Sequence, residues 1–228
     1  MNKTLKKNVK GPLSDRRSDR RAARGDSFTR DEWVAMARKQ LIREGVAGLK
    51  IDRLAKRLGV TRGGFYWRFS GLKDLLDSLL EDWVETNAQS ALKALRGPGE
   101  PVQRFTRMMH VYIDEIGFDP TYDLAVREWA RLSPKVDQAV RKMDDDIIAA
   151  LAQLFRDARY SSDEALIRAR IVHYHQVGFY ALRLKQTRES RYISADLYLR
   201  ILTGLEGSFF DGLAPAKLSA LKAVSAGA

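Results

Sequence analysis

The sequence predicts an all-α protein, with an N-terminal three-helix helix-turn-helix domain joined by a long helix to a C-terminal helical domain. Two observations favour this class. Apolar residues recur at intervals of three and four along most of the chain, which is the spacing of one helix face. No segment alternates apolar and polar residues in the way that a half-buried strand does. Capping residues and glycines bracket the periodic stretches and give each helix an expected start and end.

The first two helices have clear boundaries in the sequence. Thr29 and Glu32 form a capping box, so the first helix is predicted from there to Glu44, where Gly45 supplies a C-cap. The second helix ends at Gly59. Its apolar stripe consists of Ile51, Leu54, Ala55 and Leu58.

The third helix is short and contains two glycines. Thr61 is expected to cap it, and the helix covers the letters RGGFYW. Each glycine inside a helix costs about 1 kcal/mol relative to alanine, so Gly63 and Gly64 require a reason. A glycine lets a partner come close to the backbone. We therefore interpret the pair as an approach surface, with Gly63 facing the partner and Gly64 more tolerant of alanine.

Helical patterns also fill the rest of the chain. Ser70 is expected to cap the long linking helix, and proline at a first helical position marks two of the later starts. In chain order the predicted helices cover 70–96, a stretch opening at 101, 119–132, a stretch opening at 133, 161–186 and 193–212.

The charge of the chain is unevenly distributed. The formal net charge is +11, and residues 1–80 hold 20 Lys plus Arg against 9 Asp plus Glu, whereas residues 81–228 hold 20 of each. A basic end joined to a neutral remainder is typical of a nucleic-acid-binding domain linked to a domain with another task. Residues 1–27 are basic without helical periodicity, so we expect a disordered arm. With no cysteine, no apolar run near membrane length and no secretory signal, we expect a cytoplasmic protein associated with the nucleoid.

Residues 29–76 resemble the DNA-binding domain of the TetR (tetracycline repressor) family. The family consensus has a helix ending in glycine, then an apolar–x–x–Leu/Ile–Ala helix, then Gly–Val–Ser/Thr, then small residues before an aromatic–tyrosine pair. The matching residues are Gly45, Ile51, Leu54, Ala55, Gly59, Val60, Thr61, Gly63, Gly64, Phe65, Tyr66 and Phe69, followed by Leu75 and Leu76. The remainder resembles the family in architecture alone. The resemblance implies a DNA-binding domain at 28–76 and an effector-binding and dimerisation domain at 77–228.

The resemblance and the residue chemistry together predict the DNA contacts. Arg62 opens the recognition helix, and a guanidinium is suited to bonding O6 and N7 of guanine together. In the family, the tyrosine that matches Tyr66 binds a backbone phosphate, and Arg68 replaces a histidine or tyrosine. Leu72 stands where the family usually has lysine, and Lys73 follows it. The predicted DNA-binding residues are Thr61, Arg62, Gly63, Tyr66, Trp67, Arg68, Lys73, Lys50 and Arg24.

The sequence predicts no catalytic residues, no metal site and no cofactor. His173 and His175 lie about 200° apart around a helix, so they are not placed to bind one metal ion together. The acidic run at 144–146 is interpreted as a solvated helix face. Asp52, near the start of the second helix, is interpreted as a complement to the helix dipole rather than as a reader of cytosine. No nucleophilic triad, phosphate loop or carboxylate pair stands out.

The C-terminal region predicts two further binding functions. The helix around 171–184 is apolar on nearly all sides, which indicates burial on more than one face. With the last helix, it is expected to form a four-helix homodimer interface, as the resemblance also implies. An effector cavity is predicted from Met109, Tyr112, Trp129, His175 and Phe179.

The expected function is a sequence-specific regulator of transcription, in the form of a repressor. It binds partly palindromic double-stranded DNA and is released by a small apolar or amphipathic molecule. The alternative is a helical DNA-binding protein with an architectural role and no small-molecule signal, and an enclosed cavity is the feature that distinguishes the two.

Overall fold

The computed structural model describes residues 28–209, with the side chain of residue 88 excepted. Within that range every regular element is helical and no strand occurs, so the predicted all-α class is confirmed. The predicted arm at 1–27 lies outside the described residues. None of the described helices is long and apolar enough to cross a membrane. The chain divides into two compact units, with the boundary between Leu79 and Leu80.

The first unit contains the helix-turn-helix. Its helices are α1 (Arg30–Glu44), α2 (Ile51–Leu58), α3 (Arg62–Tyr66) and the first part of α4 (Leu72–Trp83), with a 3-10 turn at Val46–Gly48 between α1 and α2. Thr29 caps α1 as predicted: its hydroxyl accepts from the Glu32 amide, and the Glu32 carboxylate accepts from the Thr29 amide at 2.7 Å. Gly59 ends α2 in the left-handed conformation, with a φ of 73°.

An aromatic core holds the first unit together. The rings of Trp33 and Phe65 are fully buried and meet edge to face at 5.3 Å, and Phe65 stacks on Phe69 at 5.2 Å. The guanidinium of Arg30 lies over the outer ring, Phe69, at 4.3 Å. Burial of such side chains contributes about 1.5–3 kcal/mol each, which exceeds the propensity cost of the two glycines in α3. The short helix is therefore stabilised by tertiary packing, as expected.

The linking helix begins two residues later than predicted. It starts at Leu72, and the Ser70 hydroxyl donates to the Asp74 carboxylate at 3.3 Å instead of capping the helix amides. The Ser70 amide also donates to Asp74, at 2.9 Å, because a carboxylate in the first turn is a stronger acceptor than a hydroxyl. From Leu72 the chain stays helical to Arg96, as α4, a π-helical segment and α5.

The second unit is a helical bundle built around the long helix α8 (Pro134–Asp157). The elements that pack against α8 are the π-helical segment Val84–Ala88, α5 (Gln89–Arg96), α6 (Pro101–Asp114), α7 (Pro120–Ala130) and α9 (Ser162–Ala181). The last two described helices are α10 (Arg188–Ile193) and α11 (Ala195–Thr203).

The ends of the last helices differ from the prediction. α9 stops at Ala181, well before Gln186, and Arg183 adopts a left-handed φ of 52°. The single helix predicted at 193–212 is wrong within the described residues. The Thr187 hydroxyl caps α10 by accepting from the Ser190 amide at 3.1 Å, and Gly204 ends α11 with a φ of 66°. Both are ordinary capping signals that the apolar periodicity obscured.

Candidate nucleic-acid interface and ligand cavities

The recognition helix α3 has one buried side and one exposed side. Gly64 and Phe65 face the core, whereas Arg62, Gly63 and Tyr66 are exposed. Tyr66 is 53% exposed, and Trp67, just after the helix, is 76% exposed. Large aromatic side chains left in solvent beside an arginine are typical of a surface that a partner covers. The predicted residues on this face therefore lie where DNA can reach them.

Thr61 occupies the N-cap position of α3, as predicted, with extended backbone angles. Its side chain accepts no hydrogen bond from the helix amides. The Thr61 side chain therefore does not satisfy the backbone amides in the first turn of α3. Backbone amides at a helix start attract phosphate oxygens.

Three predicted cations mark the beginnings of three helices. Lys50 is exposed at the N-cap of α2, Arg62 is the first residue of α3, and Lys73 is exposed at the second position of α4. Leu72, which stands where the family usually has lysine, is half-buried. Positive side chains beside the positive end of a helix dipole favour an anionic partner. Arg24 lies outside the described residues.

Arg62 forms an ion pair that the sequence did not predict. Its Nε lies 3.0 Å from Oδ1 of Asp52 at the start of α2, and both side chains are exposed. A bond at Nε leaves the two terminal nitrogens of the guanidinium for a bidentate contact to guanine. Asp52 therefore does more than complement the helix dipole. The helix-turn-helix brings together two side chains that are ten positions apart, a proximity that local sequence patterns do not reveal.

Arg68 also has an intramolecular partner. Its Nε donates to the Phe28 carbonyl at 2.9 Å, and its own carbonyl accepts from Arg30 at 2.7 Å. The Arg30 guanidinium also donates to the Ser78 hydroxyl at 2.7 Å and forms an ion pair with Asp74. Its hydrogen bond to Asp74 lowers the pKa of the Asp74 carboxyl. Arg68 thus helps to hold the start of α1 beside the end of the recognition helix, in addition to its predicted phosphate contact.

Replacing Arg62 with alanine should relax base preference. If Arg62 reads guanine, the loss should cost about 1–3 kcal/mol of operator binding and flatten the preference at one base pair per half-site. The measurement is a binding isotherm against a set of operators mutated one pair at a time. Arg53→Ala is the matched control, since it removes an exposed charge from α2 that is paired with Glu44. An unchanged base preference in Arg62→Ala would show that the register assigned to α3 is wrong.

The two glycines of α3 should respond differently to alanine. A Cβ at Gly63 would meet only the Thr61 hydroxyl, at 3.5 Å, so Gly63→Ala should stabilise the free protein by up to about 1 kcal/mol. The same methyl group should weaken operator binding, because Gly63 lies on the exposed face. Gly64→Ala is the comparison variant, since Gly64 is buried and lies away from the exposed face, so its operator binding should survive better. Melting curves and binding isotherms test both effects, and a lower melting temperature for Gly63→Ala would contradict the first.

An apolar cavity and a charged cavity lie among the described residues of the second unit. The apolar cavity is about 420 Å³, in part open to solvent, and Met109, His175 and Phe179 of the predicted set line it. The charged cavity, of about 390 Å³, is lined by Tyr112 of that set. Trp129 is buried and lines neither. The five predicted effector residues are therefore distributed over two cavities and the core.

A buried ionic network borders the charged cavity. Arg127 donates to Asp144 through two nitrogens, at 2.7 and 2.9 Å, and to Asp123 at 2.7 Å. His173 lies 3.0 Å from Asp144, and the Trp83 indole donates to Asp123 at 3.2 Å. Against the effect of burial, the hydrogen bonds from Arg127 and His173 lower the pKa of Asp144 to about 2. The interpretation of 144–146 as a solvated face is wrong for Asp144, because Arg127 on α7 faces it.

The helix predicted to be apolar all round has a buried side and an exposed side. Ala165, Ala169 and Val172 of α9 are buried. The opposite side exposes large apolar residues, and α11, which contacts α9, exposes more. We call this set the exposed apolar stripe: Ile167, Ile171 and Tyr174 on α9, with Leu197 and Ile201 on α11.

Comparison with known proteins shows where the chain resembles others. Residues 34–79 match the model of the family described as bacterial regulatory proteins, tetR family. The chain is 33% identical to the HTH-type transcriptional regulator SrpR of Pseudomonas putida over 61 residues, which is 27% of this chain and 29% of that protein. It is 26% identical to the HTH-type transcriptional regulator EthR of Mycolicibacterium smegmatis over 144 residues, or 61% of this chain and 65% of the relative.

A solved structure extends the similarity in fold. The reduced form of Escherichia coli NemR superposes with a TM-score of 0.57 at 20% identity, over 78% of this chain and 95% of that chain. In sequence, the chain matches less than two thirds of the length of the curated regulators above. The sequence similarity is therefore concentrated in the helix-turn-helix, and the second unit shares its architecture with a neighbour of low identity.

Proposed function

Because this chain belongs to the TetR family of bacterial regulatory proteins, we propose that it is a homodimeric repressor of transcription that a small molecule releases from its operator. The observation that carries the proposal is the exposed face of α3, where Arg62, Gly63, Tyr66 and Trp67 stand beside exposed cations. A helix with this composition suits the major groove, which is about 12 Å wide.

The exposed apolar stripe supports the homodimer. Five large apolar side chains on two adjoining helices would be costly to leave in water, and a second copy covers them symmetrically. Two copies of α3 then bind two half-sites, which is the reason for a partly palindromic operator.

The two cavities in the second unit support release by a small molecule. They adjoin α6 and α9, and their linings combine aromatic and aliphatic side chains with a few polar groups, as ligand sites do. A ligand that prefers the conformation unable to bind the operator shifts the population away from DNA. An architectural protein without a signal has no need of such cavities.

Gel retardation with genomic fragments, including the region upstream of the protein's own gene, tests the proposal. A salt-sensitive complex with selected fragments is expected, because phosphate contacts release counterions. Equal retardation of all fragments would favour the architectural alternative. Absence of any complex at low salt would overturn the proposal.

A further inference from the structure

The apolar cavity differs from the charged cavity in that its charged residue has no partner of opposite charge in the described lining. The charged cavity includes Asp123, which is paired with Arg127. Among the described residues that line the apolar cavity there is no acid, and its one charged residue is Arg191. The apolar cavity therefore carries a positive charge that its own walls do not neutralise.

Arg191 on α10 is held by neutral groups. One of its terminal nitrogens donates to the Tyr112 carbonyl and to the Tyr180 hydroxyl, each at 3.2 Å. The guanidinium also lies over the Phe179 ring at 4.6 Å. Within the described part of the chain, no carboxylate lies at ion-pair distance from Arg191. Carbonyls and ring faces orient a guanidinium, yet its remaining N–H groups stay available to an anion.

Gln176 on α9 lines both cavities and supplies a second polar group to the apolar one. Its side chain is only 6% exposed, and its Nε2 has no hydrogen-bond partner in the described structure. Burial raises the pKa of the nearby Tyr180 hydroxyl, and Arg191 and Gln176 act in the opposite direction. The Tyr180 hydroxyl donates to the Tyr112 carbonyl at 2.7 Å. It does not form a hydrogen bond of suitable geometry with Gln176 Nε2. A buried amide without a partner is a position where a ligand oxygen gains a hydrogen bond.

His175 adds no second charge. Burial, and then the neighbouring Arg191, lowers the pKa of its imidazole, so His175 is neutral near pH 7. The rest of the lining near it is aromatic or aliphatic, including Phe105, Met109 and Phe179. Besides Arg191, Gln176 and His175, the polar lining residues are Gln186 and Tyr198, and the remainder of the lining suits a hydrocarbon.

We infer that the apolar cavity binds an amphipathic carboxylate, with its head group at Arg191 and Gln176 and its apolar part against Phe105, Met109 and Phe179. A carboxylate accepts hydrogen bonds from both side chains and neutralises Arg191. The part of the inference that makes this carboxylate the effector rests on the proposed function. Binding of the carboxylate in the cavity does not depend on DNA binding.

Three probes with the same ten-carbon tail test the head group. Isothermal titration of the full-length protein with decanoate, decan-1-ol and decylammonium should give affinities in that order. Decanoate should bind on the order of tenfold more tightly than decan-1-ol, because hydrogen bonds to a charged group are the stronger ones. Decan-1-ol binding as tightly as decanoate, decylammonium binding best, or none of the three binding would each overturn the inference.

Two variants locate the head group. Arg191→Met and Gln176→Leu should each weaken decanoate while leaving decan-1-ol nearly unchanged. Arg188→Met is the control on the same helix, because Arg188 donates to the Asp114 carbonyl and does not line the cavity. If Arg191→Met does not fold, the affinities of Gln176→Leu and of the three probes with wild type test the position of the head group. Unchanged decanoate affinity in the folded variants would overturn the assignment.

Gel retardation in the presence of decanoate separates the inference from the proposed function. Decanoate that binds the cavity and leaves the operator complex intact would overturn release by this ligand, while the carboxylate site stands. Decanoate that binds and releases the operator supports both.

Discussion

Replacing Arg127 with methionine should destabilise the second unit by about 3–5 kcal/mol, the range for removing one partner of a buried ion pair. Asp123 and Asp144 would stay in the interior without the guanidinium that bonds both of them. Urea unfolding, followed by circular dichroism and tryptophan fluorescence, measures the change. Arg141→Met is the matched control, because Arg141 is exposed on α8 and pairs with Asp137 at the surface. Such surface pairs contribute about 0–1 kcal/mol, so the control should unfold close to wild type.

The same variant should alter the pH dependence of stability. The pKa of Asp144 is lowered to about 2 in the folded protein from 3.8, so its contribution is fully present above pH 4 and is lost as the pH falls towards 2. By linkage that contribution is about 2 kcal/mol in wild type. Without Arg127, the pKa of Asp144 rises and the loss between pH 4 and pH 2 becomes smaller. Unfolding curves at pH 7, 4 and 3 test this, and equal pH slopes in both proteins would contradict it.

Replacing Ile171 with aspartate should convert the proposed homodimer to monomers. Ile171 lies in the middle of the exposed apolar stripe on α9, and by symmetry a dimer would bury two new carboxylates without partners. An uncompensated buried charge costs about 3–5 kcal/mol, so the dimer dissociation constant should rise by more than about 100-fold. Operator binding should fall with it, because two half-sites are no longer bound together.

Sedimentation velocity of wild type and variant measures the dimer directly. Leu132→Asp is the control, since Leu132 is an exposed apolar residue just after α7, outside the stripe. The control should sediment as wild type does. A monomeric wild-type protein, or an Ile171→Asp variant that stays dimeric, would show that the stripe is not the interface between copies.

The sequence predicted the boundaries of the first two helices of the helix-turn-helix closely because their determinants are local. Gly45 and Gly59 end two helices with positive φ, and the Thr29 capping box begins α1, each within a few residues of the position concerned. The same local rules failed towards the end of the described chain. There the apolar residues continue past Ala181, so periodicity alone predicts a longer α9 and does not reveal the helix start that Thr187 caps.

What the sequence determined by itself is the all-α class, the helix-turn-helix and the exposed cations at three helix starts, since periodicity, caps and glycines act over one or two turns. Tertiary structure alone decided which side chains meet across the chain. Asp52 pairs with Arg62 only after the turn between α2 and α3 is formed, and Asp144 meets Arg127 from another helix. The effector residues depend on packing in the same way, because a cavity is the space left between helices and no single stretch encodes it.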